Sequence, residues 1–439
     1  MKKINNDFFD EVEKEYLSND IYKVARRALN KNKISSLVRV SEQNEYTRNR
    51  FSIDLKTLPV TNQKASGRCW IFAGCNVLRE KVAKKFNLDN FELSQNYIAF
   101  YDKLEKCNYL MESVISLLDK DKDDRTLNYL LSNGIEDGGQ WDLFVNIVNK
   151  YGVVPVDAFP ETFQSSNTRE IDGILNQYVR KFAFEARKKN DIEEVRIIEE
   201  GYMKNIYKIL SSCFGIPPKK FDFEYVDKNK EYHIEKDIDP QTFLREYVGV
   251  DLNDYISIIN SPTSDKPFYQ PYTVKYLGNV IEGKPVKYLN EEMLRFKSLV
   301  ISQLSDGEPV WFGSDCSKDS DREEGLWDDV SFDVNTLFQI DYSLSKEGML
   351  DTRNSAMNHA MVITGVNIDE NGNPTKWKIQ NSWGPDHAYK GYYVATDSWF
   401  DKYVYQAVIN KKYLSEFEEK DLEKPVVELE PWDPMGTLA

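Results

Sequence analysis

The segment that most constrains the fold begins at Gly67 and reads GRCWIFAGCNVLREKVAKKF. Apolar residues recur in it at spacings of three and four, namely Ile71, Cys75, Leu78, Val82 and Phe86. This periodicity predicts a helix that begins at Cys69, directly after a glycine turn, and buries one face. The unpaired N–H groups at a helix start carry partial positive charge, which favours a thiolate. We therefore predict a reactive thiol at the start of a core helix.

The other four cysteines lack this setting. Cys75 lies on the same predicted helix but nearly two turns further in, where the helix dipole has little effect. Cys107, Cys213 and Cys316 have no glycine turn and helix start beside them. An odd number of scattered cysteines does not resemble a disulfide framework, and the charged N-terminus lacks the apolar run of a signal peptide. We expect the chain to reside in the reducing cytoplasm.

A reactive thiol also needs a base, and the base needs a group that orients it. The chain contains only three histidines. His359 opens the apolar run HAMVITGV, which predicts a strand that would fix its backbone. His233 lies in a charged region, and His387 lies in a turn-rich loop. Asn381, in the strand end KWKIQNSWG, is the candidate orienting group, and Trp383 beside it would shield their hydrogen bond from water.

The charge balance argues against a nucleic-acid-binding role. The chain has 57 basic and 72 acidic residues, which give a net charge of -15. Affinity for nucleic acids depends mainly on Lys and Arg that neutralise phosphates. No window approaches the roughly 18 apolar residues that a membrane-spanning helix requires. We therefore expect neither a nucleic-acid partner nor a membrane partner.

No cofactor or metal is predicted. The segment GNVIEGKP, residues 278–285, has proline where a phosphate-binding loop carries Ser or Thr. The run DKDKDD, residues 119–124, lacks the central glycine and the terminal glutamate of a calcium-binding loop. No C-x-x-C pair is present to suggest a structural zinc site.

Local patterns divide the chain into five segments. Residues 1–58 are predicted to be a helical extension and 59–164 a helical lobe with the Cys69 helix. Residues 165–292 are predicted to be an inserted, mainly helical subdomain, 293–413 a β-rich lobe with His359 and Asn381, and 414–439 an extended arm. Ser94 is a predicted N-cap for a helix through Lys106, and Gly152 fits the C-cap of another.

Several motifs together resemble one family. TNQKASGRCWIFA is similar to the nucleophile segment of papain-like cysteine peptidases, MNHAMVITGV to their histidine strand and KIQNSWG to their asparagine strand. RCWIFA, DGGQWD, YGVVP, DSWFD and PWDPMG resemble more closely the branch of bleomycin hydrolase and aminopeptidase C, over nearly the whole chain. The resemblance implies an α+β fold, a papain-like two-lobed core with a helical lobe and an antiparallel β-barrel-like lobe. A helical insert and a C-terminal arm would complete it.

The resemblance also implies a cysteine aminopeptidase that acts through a thioester. Cys69 and His359 would form a thiolate–imidazolium pair, and Asn381 would orient the ring. The Gln63 side-chain amide and the Cys69 backbone N–H would hold the oxyanion.

Substrate binding is likewise implied by the resemblance. Gly138 and Gly139 resemble the glycine pair that lets the substrate backbone approach closely. In this branch the chain end lies in the cleft, so the α-carboxylate of Ala439 would face the substrate amino group and select free N-termini. The branch forms a hollow homohexamer with its active sites inside, and we expect the same assembly here.

Two alternatives stay open on the sequence. One is a papain-like endopeptidase or another Cys-His acyl hydrolase, which would cleave N-acetylated and free substrates equally. The other is a binding protein that kept the fold after losing catalysis, in which Cys69 would not react stoichiometrically with an epoxide thiol inhibitor.

Overall fold

A computed structural model describes residues 3–40 and 48–437 of the chain. Helices make up most of its first half, and the short helix Pro240–Thr242 continues into a π-helical turn, Phe243–Val248. The described residues of both halves contain fifteen α-helices. The α-helices of this part of the chain are α1 (Asn6–Ser18), α2 (Asp20–Leu29), α3 (Ile34–Val38), α4 (Cys69–Lys85), α5 (Gln95–Ile115), α6 (Arg125–Asn133), α7 (Trp141–Tyr151), α8 (Arg169–Ala186), α9 (Ile192–Phe214), α10 (Pro240–Thr242), α11 (Met293–Ser305), α12 (Val334–Phe338), α13 (Lys346–Asp351), α14 (Asp397–Tyr403) and α15 (Glu416–Leu422).

Most strands belong to one twelve-stranded sheet. The strands of the described residues are β1 (Ile53–Asp54), β2 (Phe221–Val226), β3 (Tyr232–Ile238), β4 (Tyr255–Ile259), β5 (Gln270–Val274), β6 (Tyr288–Asn290), β7 (Val310–Ser314), β8 (Ser320–Asp321), β9 (Leu326–Trp327), β10 (His359–Ile368), β11 (Pro374–Gln380), β12 (Tyr392–Thr396), β13 (Val404–Asn410) and β14 (Val427–Leu429). β2 and β3 form a separate hairpin. The predicted α+β class is confirmed.

The large sheet is antiparallel at its centre and mixed towards its edges. Its order is β14-β5-β6-β4-β13-β7-β10-β11-β12-β9-β8, with β1 paired to β10. The run from β4 to β12 is antiparallel, whereas β4–β6, β12–β9 and β14–β5 are parallel pairs. Within the predicted antiparallel lobe, residues 293–413, only the β12–β9 pair departs from the antiparallel arrangement, because the strands of the other two parallel pairs lie outside these bounds. Long connections between the strands of all three pairs allow the parallel arrangement.

Helix α4 joins the helical half of the molecule to the sheet. It contacts α5 and α7 as well as β7 and β10. Thirteen of its 17 residues are buried, so the prediction of a single buried face is too narrow. The predicted stripe is nonetheless in the core, because Ile71, Cys75, Leu78 and Val82 are all buried.

The predicted helix caps are present. The Ser94 hydroxyl accepts a hydrogen bond from Tyr97 N at 3.0 Å and starts α5. That helix runs to Ile115, beyond the predicted end at Lys106, because the following residues continue to bury apolar side chains. Gly152 ends α7 with a φ of 75°, and its N–H donates to Val148 O at 2.8 Å. A side chain would be strained at this φ, as the prediction assumed.

The last predicted segments differ in part from the expectation. The predicted insert supplies α8, α9 and the β2–β3 hairpin, and its strands β4, β5 and β6 pair into the large sheet. The expectation of an extended arm is wrong for Glu416–Leu422, which is helical. A capping box between Ser415 and Glu418 starts that helix, and the prolines lie only beyond its end. The division into five segments stays a prediction. Within the described ranges, the longest apolar helical stretches fall short of a membrane span.

Candidate active site

Cys69 is the first residue of α4, as predicted. The residue before it, Arg68, is the N-cap, and no side chain caps the helix there. The Cys69 sulfur is buried and accepts a hydrogen bond from the backbone N–H of Ala360, with an N–Sγ distance of 3.5 Å. Ala360 directly follows His359 at the start of β10. The fold therefore brings the predicted nucleophile next to the strand that carries the predicted base.

His359 and Asn381 are hydrogen-bonded to each other inside the protein. The distance from His359 Nε2 to Asn381 Oδ1 is 2.8 Å, and both side chains are buried. The two residues meet because β10 and β11 are antiparallel, so that the first residue of β10 lies beside the residue that follows the end of β11. An amide oxygen only accepts, so Nε2 carries the proton and Nδ1 of the neutral ring carries none. Asn381 Oδ1 also accepts from Ser382 N at 2.7 Å, which fixes the amide.

An indole ring covers the histidine. The rings of His359 and Trp383 are stacked with centroids 4.9 Å apart and an interplanar angle of 23°. The guanidinium of Arg322 lies over Trp383, 4.8 Å from a ring centroid. The Trp383 ring thus covers one face of the imidazole, and the shielding of the Asn381 bond from water stays a prediction.

Burial disfavours either charge alone at this site. It raises the pKa of the Cys69 thiol to about 12, although the N–H groups of Ala360 and Trp70 act in the opposite direction. It lowers the pKa of His359 to about 4, against the effect of the Asn381 hydrogen bond. The expected lowering of the thiol pKa by the helix start is thus outweighed by desolvation.

Gln63 reaches the site from the segment before α4. Its side-chain oxygen accepts from Ser382 Oγ at 2.5 Å, and its Nε2 donates to Ser66 O at 2.7 Å. The backbone N–H of Gln63 also donates to Ser382 O at 2.8 Å. An amide nitrogen has two hydrogens, so one remains for an oxyanion. Gln63 is therefore fixed against the residue that follows Asn381.

The glycine pair packs tightly beside the nucleophile. A Cβ atom on Gly139 would lie 2.5 Å from the Trp70 ring, so this position admits only glycine. The Trp70 Nε1–H donates to Asp137 O at 2.7 Å, and Lys106 Nζ donates to Gly138 O at 2.6 Å. Gly139 is thus required for packing against the residue after Cys69, a reason that the sequence analysis missed.

The C-terminal arm approaches the glycine pair. Gln140, the residue after Gly139, donates from Nε2 to Thr437 O at 2.6 Å. A cavity of about 340 Å³ lies beside the arm, lined among others by Tyr129, Glu136 and Thr437. Ala439, the predicted contact to the substrate amino group, lies outside the described residues.

The remaining candidates from the sequence lie elsewhere. His387 is an exposed residue of the loop after Trp383. His233 lies on β3, where its ring stacks on Tyr225 and groups with Asp227 and Glu231.

Ser382 and Asp137 contact the site but were not predicted. Their signals were available, since Ser382 follows Asn381 and Asp137 precedes the glycine pair. Their partners, however, lie far away in the sequence.

Comparison with known proteins agrees with this geometry. The sequence profile described as Peptidase C1-like family matches residues 3–436. Aminopeptidase C of Lactobacillus delbrueckii subsp. lactis is 45% identical over 446 residues, covering 100% of this chain and 99% of that protein. Bleomycin hydrolase of Mus musculus is 40% identical over 394 residues, covering 87% and 86%.

A solved structure shares the entire fold. The crystal structure of PepW from Lactobacillus rhamnosis HN001 is 43% identical and superposes with a TM-score of 0.97, covering 100% of this chain and 99% of that one. The chain therefore belongs to the Peptidase C1-like family, in the branch of cysteine peptidases that includes aminopeptidase C and bleomycin hydrolase.

Proposed function

We propose that this cysteine aminopeptidase removes N-terminal residues from peptides with Cys69 as nucleophile, His359 as general base and acid, and Asn381 as the group that orients the ring. One observation carries the proposal. A buried imidazole is held by Asn381 at 2.8 Å, and the backbone N–H next to it contacts the sulfur at the first residue of α4.

The first half of the reaction forms a thioester. His359 Nδ1 takes the proton from Cys69, and the thiolate attacks the carbonyl carbon of the first peptide bond. The carbonyl π electrons move to oxygen, which becomes an oxyanion. When the tetrahedral intermediate collapses, the C–N bond breaks and the imidazolium gives its proton to the leaving amine.

The second half releases the amino acid. His359 takes a proton from water, and the resulting hydroxide attacks the thioester carbonyl. Collapse of the second tetrahedral intermediate breaks the C–S bond and restores the thiolate, so no external oxidant or reductant is needed. Asn381 keeps Nε2 protonated throughout, which leaves Nδ1 free for both proton transfers.

Two donors are proposed for the oxyanion. One is the second N–H of Gln63 Nε2, whose first is engaged by Ser66 O. The other is the backbone N–H of Cys69, which points out of the first turn of α4 without a helical partner. Donors that are already aligned stabilise the developing charge without further reorganisation.

We further propose that the arm selects free N-termini. Gly138 and Gly139 would admit the substrate backbone, and the α-carboxylate of Ala439 would pair with the substrate ammonium group. The bond from Gln140 to Thr437 O supports this assignment because it attaches the end of the described arm to the residue beside the glycine pair. The arm would also obstruct longer chains.

Assembly and compartment are part of the proposal. We propose a homohexamer, which matches the exposed apolar side chains of α1 (Phe8, Phe9, Val12 and Leu17). Mass photometry would test it. We propose the cytoplasm as the compartment, since all five cysteines are free thiols in the structure.

The reaction class is tested with matched substrates. An aminoacyl reporter amide should be cleaved rapidly, and its N-acetylated form should be cleaved at least about a hundredfold more slowly, because acetylation removes the ammonium charge. Equal cleavage of the two would favour an endopeptidase. No turnover of either, with no stoichiometric labelling of Cys69 by an epoxide inhibitor, would favour a binding protein.

The role of the arm is tested by removing residues 436–439. We expect loss of aminopeptidase activity and gain of internal cleavage in longer peptides. An Ala439→Gly variant, which keeps the terminal carboxylate, serves as the control and should behave like the parent. An unchanged product pattern after truncation would refute the carboxylate anchor.

A further inference from the structure

One peptide group before the nucleophile is held at both ends. The carbonyl oxygen of Ser66 accepts a hydrogen bond from Gln63 Nε2 at 2.7 Å. The N–H of the same peptide group, which belongs to Gly67, donates to Asp137 Oδ2 at 2.8 Å. Gln63 and Asp137 therefore fix the plane of this peptide from opposite sides.

Asp137 is itself held firmly. Lys103 on α5 donates to its Oδ1, and the hydroxyl of Thr168 donates to the same oxygen that Gly67 contacts. Lys103 also contacts Asp172 on α8. Burial by itself would raise the pKa of Asp137, but Lys103 and the donors to its carboxylate hold the pKa well below its usual range. The carboxylate is thus permanently charged and locked in one orientation.

The contacts of Asp137 lie on both sides of the nucleophile. Its side chain binds Gly67, two residues before Cys69, and its backbone oxygen accepts from Trp70 Nε1, one residue after. A Cβ atom on Gly67 would lie 2.8 Å from the Cβ of Asp137, so the approach depends on glycine. No other residue of the site is bonded to the chain on both sides of the sulfur in the described ranges.

The opposite end of this hydrogen-bond chain reaches the base. Ser382 Oγ donates to Gln63 Oε1, and Ser382 N donates to Asn381 Oδ1. A continuous series of bonds therefore runs from the Asn381 amide through Gln63 and the Ser66–Gly67 peptide to Asp137. It connects the sheet that carries the base with the helices around the nucleophile.

We propose that Asp137 is a positioning residue that sets the oxyanion hole through the Ser66–Gly67 peptide. Both proposed donors, the Gln63 amide and the Cys69 N–H, are attached to this peptide, one through a hydrogen bond and the other two residues along the chain. A rotation of the peptide would move both donors away from the oxyanion together. The inference rests on the proposed function and deepens it.

Loss of the Asp137 charge should affect the reactivity of the Cys69 thiol and the rate of hydrolysis differently. A carboxylate near Cys69 raises the pKa of the thiol, so its removal makes the thiolate easier to form. A variant without this charge should therefore not lose thiol reactivity. Hydrolysis needs the oxyanion hole, whereas alkylation of the sulfur by iodoacetamide has no oxyanion. The two reactions separate positioning from a general loss of structure.

The test compares Asp137→Asn with Asp172→Asn. Both variants remove a carboxylate that Lys103 contacts. Only Asp137→Asn removes the carboxylate that accepts the hydrogen bond from Gly67. In Asp137→Asn the amide nitrogen must face either Gly67 N–H or Lys103, so one donor is left without an acceptor. We expect kcat for the aminoacyl amide to fall roughly 10- to 100-fold, with KM nearly constant and the alkylation rate of Cys69 equal or higher. Asp172→Asn should stay within about threefold of the parent in both reactions.

A milder variant covers the possibility that Asp137→Asn does not fold. Thr168→Ala leaves both charges in place and removes one of the two donors to Oδ2. It should lower hydrolysis roughly two- to fivefold without lowering alkylation. Thermal melting identifies folded variants.

The proposal is overturned if hydrolysis and alkylation fall in parallel, or if Asp137→Asn matches Asp172→Asn. Failure of the proposed function would look different, because then the Cys69→Ala variant would retain hydrolysis.

Discussion

The turn that carries the nucleophile and the arm that ends the described chain are both irregular segments, yet they are held in different ways. In the turn, residues 63–70, Gln63 and the residues from Arg68 to Trp70 are buried, and hydrogen bonds join the turn to Asp137, Glu161 and Ser382. The arm, residues 427–437, rests on a few separated contacts. They include the pairing of β14 with β5, Arg125 over the Trp432 ring at 3.7 Å, the Lys266–Asp433 pair at 3.0 Å and the bond from Gln140 to Thr437.

Two buried carboxylates, one beside the turn and one near the arm, also differ in how many hydrogen bonds they accept. Asp137 beside the turn accepts from Gly67, Lys103 and Thr168. Glu291 lies fully buried near α15 at the base of the arm, and neither oxygen has a hydrogen-bond partner within residues 3–40 and 48–437. Burial and the neighbouring acidic groups of Glu418 and Asp421 raise the pKa of Glu291 to about 7.

We infer from this difference that the turn serves the chemical steps and the arm serves the selection of substrates. Chemistry depends on atoms that tolerate displacements of only a fraction of an ångström, and the turn accordingly buries Gln63 and Cys69 and holds the Gln63 side chain by two hydrogen bonds. The proposed selectivity for the substrate N-terminus would depend instead on the arm, which is attached to the site through the bond from Gln140 to Thr437. Substitutions in the turn should therefore abolish turnover of every substrate, and substitutions in the arm should change which substrate is used.

The largest effect is expected for Cys69→Ala. Without the sulfur no thioester can form, so kcat should fall by at least about 10⁴-fold for free and N-acetylated substrates alike. Steady-state kinetics with both substrates measures this. Cys75→Ala, on the same helix, is the control and should keep most of the activity. Substantial turnover by Cys69→Ala would show that Cys69 is not the nucleophile.

Gln63→Ala comes next. Loss of one oxyanion donor should lower kcat by roughly a hundredfold or more, with a small change in KM. Ser382→Ala removes only the bond that orients the Gln63 amide, so its loss should be smaller, about tenfold. Equal effects of the two variants on kcat and KM would argue against a direct role of the amide.

A smaller effect is expected for the arm variant Trp432→Ala. Loss of the ring removes the contacts to Arg125 and Tyr129 and loosens the arm. The preference for free over N-acetylated substrate should fall by about three- to tenfold, since a cation–π contact contributes about 1 kcal/mol. Phe184→Ala, which removes an α8 ring that Lys188 contacts in the same way, should leave the preference unchanged. An equal drop in both variants would contradict the role of the arm.

The smallest change concerns stability and not activity. The pKa of Glu291 is higher in the folded chain than the usual 4.5, so the folded chain binds more protons between about pH 4.5 and 7. Its stability therefore falls as the pH rises through this window. Glu291→Gln removes the titrating group, so the variant should gain free energy of unfolding relative to the parent as the pH rises. Urea denaturation should show this gain to be roughly 2 kcal/mol larger at pH 8 than at pH 5. Glu292→Gln is the neighbouring control, and a pH-independent effect of Glu291→Gln would contradict the assignment.

The parts of the site that follow from local chemistry were predictable. Cys69 stands at a glycine turn before a periodic helix, and His359 and Asn381 stand at the ends of apolar strands. Each signal lies within about ten residues. Asp137 stands beside the glycine pair in the sequence, but its role could not be predicted from that position, because it arises from Gly67, Lys103 and Thr168, which the chain brings together only on folding.

Buried charge explains two errors in the predicted elements. Arg79 on α4 donates to Pro59 O at 2.6 Å, so a residue that reads as solvent-exposed completes the burial of that helix. The predicted end of α5 at Lys106 fails because this lysine is buried against Asp102 at 2.7 Å. Polar residues with internal partners cannot be told from surface residues by periodicity alone.

The central claim is that the thiolate of Cys69 exists because its proton passes to His359. The most direct test is the rate of Cys69 alkylation by iodoacetamide from pH 5 to 10, followed by mass spectrometry of the labelled peptide, in the parent and in His359→Ala. The parent should show a plateau across neutral pH. In the variant, burial keeps the thiol pKa near the value of about 12, so the rate at pH 7 should be at least about a hundredfold lower and rise roughly tenfold per pH unit. A plateau that survives without the imidazole would contradict the account.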